Sequence, residues 1–94
     1  MADWHLYILK CRDGTLYTGV TTDVERRLAE HRQGKGARYL KGRAPLVLML
    51  QKNVGGRRLA LRVENRVKRL SRPQKEELIS IPGLFEALVE KASA

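Results

Sequence analysis

An α/β fold, with a small, mainly antiparallel three-stranded sheet flanked by helices, is predicted by three observations. Two aromatic and aliphatic runs near the start are separated by Arg12-Asp13-Gly14, which is turn chemistry and reads as a hairpin. A third apolar run, Leu46-Val-Leu-Met-Leu-Gln-Lys52, suits a strand buried on both faces. Between and after these runs, apolar residues recur at helical spacing. Ninety-four residues suffice for one such domain, residues 1–94, but not for a second core.

The first two strands span residues 4–11 and 15–20. The connection between them can close in two ways. A two-residue Asp13-Gly14 turn pairs Lys10 with Tyr17 and puts Tyr7 and Tyr17 on opposite faces, because side chains alternate with period two. A three-residue loop with Gly14 at positive φ pairs Leu9 with Tyr17 and puts both tyrosines on one face. A shared site needs the second closure, which is the one expected.

A capping box, Thr22-Asp23-Val24-Glu25, predicts the next helix, in which Val24, Leu28 and His31 fall on one stripe. Arg27 stands one turn before His31. Gly34 and Gly36 end the helix and begin a basic connector that runs to Arg43. After the third strand Gly55-Gly56 is a break, and Leu59, Val63, Val67 and Leu70 then repeat at helical spacing with Glu64 at the border. Arg58, Arg62, Arg66 and Arg69 cover much of the other side. Pro73 opens a further helix, and Pro82-Gly83 precedes an amphipathic tail of Leu84, Phe85, Leu88 and Val89.

Nineteen Lys and Arg against ten Asp and Glu leave a net charge of +9. Such a field concentrates polyanions, so nucleic acid is the expected partner, and no obligate protein partner is evident. One cysteine excludes an internal disulfide and suits a reducing compartment. No signal peptide and no run of eighteen apolar residues is present, so a cytoplasmic location without a membrane partner is expected. Two phenols, a guanidinium and an imidazole beside one sheet can position a water, neutralise a phosphate and manage protons, which phosphodiester hydrolysis requires.

At these residues the chain resembles the GIY-YIG nuclease superfamily, in particular its small stand-alone bacterial members. The first motif resembles His5-Leu6-Tyr7 and the second Tyr17-Thr18-Gly19, followed by Arg27, His31 and Glu64. The match covers about residues 4–72 and leaves a helical tail over 73–94. His5 stands where the family name has glycine, and no asparagine lies beyond the Glu64 helix. The resemblance implies a DNA endo- or exonuclease in which Tyr7 or Tyr17 positions or activates the water, Arg27 neutralises the phosphate with His31 beside it, and Glu64 holds Mg²⁺ or Mn²⁺. One carboxylate suits Mg²⁺, which keeps several waters and takes other ligands from substrate phosphates. Lys35, Arg38, Arg62 and Arg66 are the expected nucleic-acid contacts. The alternative is a nucleic-acid-binding module of the same fold that does not cleave.

Each residue also has an ordinary structural use. The tyrosines could be strand aromatics, Arg27 a solvated helix residue and His31 a packing or capping group. Glu64 could be the i,i+4 partner of Lys68. His5 and Cys11 read mainly as strand residues, and Trp4 as either a core anchor or a base-stacking platform. Lys10 falls on the face opposite the tyrosines in the register that unites them.

Overall fold

A computed structural model of the protein describes residues 2–94. In chain order it comprises β1 (Trp4–Lys10), β2 (Leu16–Thr21), α1 (Val24–Arg32), a 3-10 turn (Arg38–Leu40), β3 (Val47–Gly55), α2 (Arg57–Lys68), α3 (Arg72–Ser80) and α4 (Leu84–Ser93). The sheet has the order β2-β1-β3, and both pairings are antiparallel. The α/β fold class predicted from the apolar pattern is therefore the observed one.

Parity in the central strand divides the core. Leu6 and Ile8 point to one face, where Val63 and Val67 of α2, Leu78 of α3 and Phe85 of α4 cover them. Tyr7, Leu9 and Cys11 point to the other, against Val24 and Leu28 of α1 and Leu40 and Leu46 of the connector. The central strand, covered on both sides, thus joins two apolar layers. Among the described residues no helix is long and apolar enough to cross a membrane.

The hairpin closes in the three-residue manner. Cys11 N–H donates to Thr15 O and Gly14 N–H to Cys11 O, each at 2.9 Å. Gly14 has φ +87°, a left-handed conformation that costs glycine little. Leu9 consequently pairs with Tyr17, and Tyr7 with Gly19, so both phenols project from one face.

Two sequence expectations are corrected. The N-cap of α1 is Asp23, whose Oδ1 accepts from Arg26 N–H at 3.0 Å, so Thr22 and Glu25 do not form a capping box. Asp caps as well as Thr, and its carboxylate also complements the positive end of the helix. A full capping box occurs instead at α3, between Ser71 and Gln74. The second correction concerns β3, which is an edge strand and not doubly buried: Val47, Leu48 and Met49 are exposed. A register shift between Ile8 and Leu9 bulges this strand, which turns part of its apolar run outward.

Candidate active site

Tyr7 sits at the middle of the central strand and is 2% exposed, yet it keeps a polar partner. Its Oη lies 2.8 Å from Nε2 of His31, also buried, in the last turn of α1. The opposite ring nitrogen, Nδ1, accepts a hydrogen bond from Ala37 N–H at 3.1 Å. A backbone N–H can only donate, so Nδ1 carries no proton and the neutral ring holds its proton on Nε2. His31 therefore donates to Tyr7. The phenol oxygen receives that bond and keeps its own O–H free to donate elsewhere.

The turn after α1 builds this arrangement. Gly34 N–H donates to His31 O and Lys35 N–H to Glu30 O, a Schellman ending with Gly34 at φ +76°. The chain then folds back so that Gly36 passes against the imidazole. A Cβ at position 36 would collide with His31 Nδ1 and come within 2.7 Å of Cε1. Across the sheet, a Cβ at Gly19 would collide with Tyr7 Oη and lie 2.6 Å from Cζ. The two glycines thus make the volume in which the Tyr7–His31 pair lies.

Replacing Gly36 by Ala should displace the imidazole and break both ring hydrogen bonds, at a cost of about 1–3 kcal/mol for overpacking. Gly34→Ala is the control. Nothing lies within 4 Å of a Cβ there, so it should cost about 1 kcal/mol through backbone strain alone and leave the site intact. Denaturant melts together with any activity per folded molecule distinguish the two variants.

Electrostatics holds the pair neutral. Burial, then the neighbouring Tyr17 phenol, pushes Tyr7 up to about 12, against the pull of Arg27. Burial, then the Arg27 guanidinium, lowers His31, while Glu30 opposes. His31 loses protons more readily folded than unfolded, so it supports the fold fully above its ordinary value of about 6.5, and that support is lost as pH falls.

The remaining residues fall into two groups. Tyr17 packs 6.4 Å from Tyr7 and 5.7 Å from His31, centroid to centroid. Arg27, one turn before His31, is half-buried and pairs with Glu30 at 3.2 Å. Glu64 arrives on α2, which covers the opposite face of the sheet, and its charge still reaches the Tyr7 phenol, which it raises. Its Oε2 pairs with Lys68 Nζ at 3.3 Å, and the side chain is only 19% exposed. Among the described residues no three His, Cys, Asp or Glu side chains cluster as a ready-made metal cage. A lone carboxylate nevertheless fits a hard divalent ion that completes its shell with water and phosphate.

The expected contacts separate. Lys35 and Arg38 lie exposed on the connector that carries Ala37, beside the tyrosine face. Arg62 and Arg66 lie elsewhere: with Arg69 they border a groove of about 900 Å³ between α2, α3 and α4. Helical phase puts them on the flank of α2 turned away from Glu64. Lys10 is exposed and on the face opposite the tyrosines, as the register requires. Trp4 is half-buried, with the Arg57 guanidinium 5.9 Å from its ring. The Ala37 N–H and the spatial need for Gly19 and Gly36 were not apparent from the sequence, where the glycine pair around Lys35 read only as a helix stop.

Comparison with known proteins shows the family of the chain. The family described as the GIY-YIG catalytic domain matches residues 3–77. A UPF0213 protein of Serratia liquefaciens is 55% identical over 84 residues, 89% of this chain and 82% of the relative. The UPF0213 protein YhbQ of Salmonella typhimurium is 48% identical over 95% of this chain and 89% of its own. Among solved structures, a UPF0213 protein of Bacillus halodurans is 43% identical over 98% of both chains, with a TM-score of 0.57. A protein of E. faecalis is 38% identical over 84% of each, with a TM-score of 0.62. With the family matched over most of its length and relatives of this similarity, the chain belongs to the GIY-YIG family and resembles its small UPF0213 members.

Proposed function

We propose that the protein is a metal-dependent nuclease that hydrolyses phosphodiester bonds in DNA. The observation that carries this reading is the buried bond from His31 to Tyr7, fixed in direction by the Ala37 amide. Any buried phenol needs a polar partner, but here the partner's direction is fixed as well. That suits a phenol that holds a water and then takes its proton, because the donor fixes the oxygen at which the water binds and stabilises the phenolate that accepts from it.

Family membership supports a nucleic-acid substrate, and the +9 charge supports strong attraction to it. Tyr7 and Tyr17 hold the attacking water on one side of the phosphate, Arg27 neutralises charge that develops on its oxygens, and His31 keeps Tyr7 oriented throughout. Glu64 is the residue that would hold a divalent ion, Mg²⁺ or Mn²⁺, whose charge would stabilise the phosphate and make the phenol more acidic. Without such cations a phenol at about 12 stays protonated near neutrality, so water activation and substrate binding are coupled.

The test is incubation with labelled single- and double-stranded DNA in Mg²⁺ or Mn²⁺, then with chelator. Cleavage that the chelator stops is the expected result. Salt-sensitive binding with no cleavage under any metal would instead favour a non-catalytic binding module, a reading to which the absence of any asparagine beyond α2 lends weight. The rate should also rise with pH, because deprotonation of Tyr7 produces the reactive form, by about tenfold per pH unit over the range in which the phenol is mostly protonated. The folded protein binds the Tyr7 proton more tightly than the unfolded chain does, so this contribution to stability is complete below about 10 and is lost as pH rises towards about 12. Initial rates at pH values below that window check the slope, and a flat profile would remove Tyr7 as the base.

A further inference from the structure

We infer that the exposed ring of Tyr39, with the Arg43 guanidinium over it, is a stacking platform for the base of a nucleotide flanking the bound phosphate. This rests on the nucleic-acid reading above and adds a contact that neither the family motif nor the catalytic group supplies.

Tyr39 is 47% exposed, whereas the residue after it, Leu40, is almost completely buried. The 3-10 turn that carries both is fixed on every side. Ala37 N–H is held by His31, Arg43 Nε donates to Tyr39 O at 2.7 Å, and Arg43 Nη1 pairs with Asp13 of the hairpin loop at 2.7 Å. A ring on such a support is rigid and outward at once. It loses little freedom when it takes up a flat ligand.

Its neighbours specify which ligand. The Tyr39 ring stacks on Tyr17 with centroids 6.0 Å apart and planes 21° from parallel, and Tyr17 in turn meets His31 edge-on. Aromatic planes therefore step from the buried imidazole through the site to solvent. The Arg43 guanidinium lies 4.3 Å from the Tyr39 centroid, presenting a second planar surface on which bases stack. Lys35, Arg38 and Lys41 are exposed along the same connector, placed to meet flanking phosphates. An acidic protein would use the cations but gain little from the planar faces, whereas a nucleotide uses both.

The test uses the full chain in chelator, so that cleavage does not interfere. The probes are short oligo-dT strands carrying one 2-aminopurine, moved along the strand, and the same strands with an abasic site at that position. One position should show quenched fluorescence on binding. Tyr39→Leu should abolish the quench and weaken binding roughly 5- to 150-fold, the range expected for one stacked base. Tyr39→Phe and Tyr39→Trp should retain both. An abasic site at the quenched position should weaken the unaltered chain by a similar factor and add nothing in Tyr39→Leu. Unchanged quench and affinity in Tyr39→Leu, loss in Tyr39→Phe as well, or indifference to the abasic site each overturn the inference. Quenching with no metal-dependent cleavage would overturn the nuclease reading and leave this one standing. Cleavage without any Tyr39-dependent quench would do the reverse.

Discussion

Replacing Glu64 by Ala should abolish metal-dependent cleavage while leaving DNA affinity unchanged or slightly tighter. The carboxylate is the one acidic group whose charge reaches the Tyr7 phenol from the α2 side, and it is the residue proposed above to hold the metal. Its removal also takes a negative charge away from the phosphate, which is why binding should not suffer. The pairing with Lys68 is an i,i+4 pair within one helix whose lysine is exposed, worth less than about 1 kcal/mol, so the fold should tolerate the change. Gel-shift affinity in chelator, beside initial rates in Mg²⁺, separates the two effects. Cleavage at the unmodified rate would exclude Glu64 as the ligand.

Tyr7→Phe should lower the cleavage rate by roughly 10²–10⁴-fold, the usual weight of a positioned acid–base group. Loss of one oxygen also leaves His31 Nε2–H unpaired in a buried site, which should cost about 1–3 kcal/mol of stability. Because the two losses differ in kind, rates must be taken well below the melting transition. The pH dependence is the more discriminating readout: the alkaline rise should vanish in the variant. A rate that falls only in proportion to the unfolded fraction would make Tyr7 a structural residue.

How much of this could be read beforehand depended on whether the signal was periodic or spatial. The placement of both tyrosines on one face follows from counting residues through Arg12-Asp13-Gly14, once a loop length is chosen, since pleat alternation leaves no freedom. The stripe of Val24, Leu28 and His31 was legible for the same reason and is buried. Edge and centre were not legible for β3. A run of apolar residues states that a strand is hydrophobic but not which strands flank it, and strand order is fixed by non-local packing. The cap of α1 was misplaced by one residue because Thr22 and Asp23 are nearly equal caps. Arg62 and Arg66 were grouped with the site on charge alone, and only the packing of α3 and α4 shows them to border a different groove. Nothing local could reveal the Ala37 amide as a partner of His31, because a main-chain donor has no residue type to recognise.

The Ala37 amide governs how the site could be altered. The proton of His31 is assigned by a backbone amide six residues along, and therefore by the length and path of the turn from Gln33 to Ala37. No side chain in that turn makes the assignment, so substitutions at Gln33 or Lys35, unlike one at Gly36, would pass unnoticed. A one-residue insertion or deletion would not. It would carry the amide away from the ring, release the imidazole to exchange its proton between the two nitrogens, and let the Tyr7 bond reverse, with every side chain of the candidate site still in the sequence. Residue identity at the site would then be a poor guide to competence, and the spacing between His31 and Ala37 a better one.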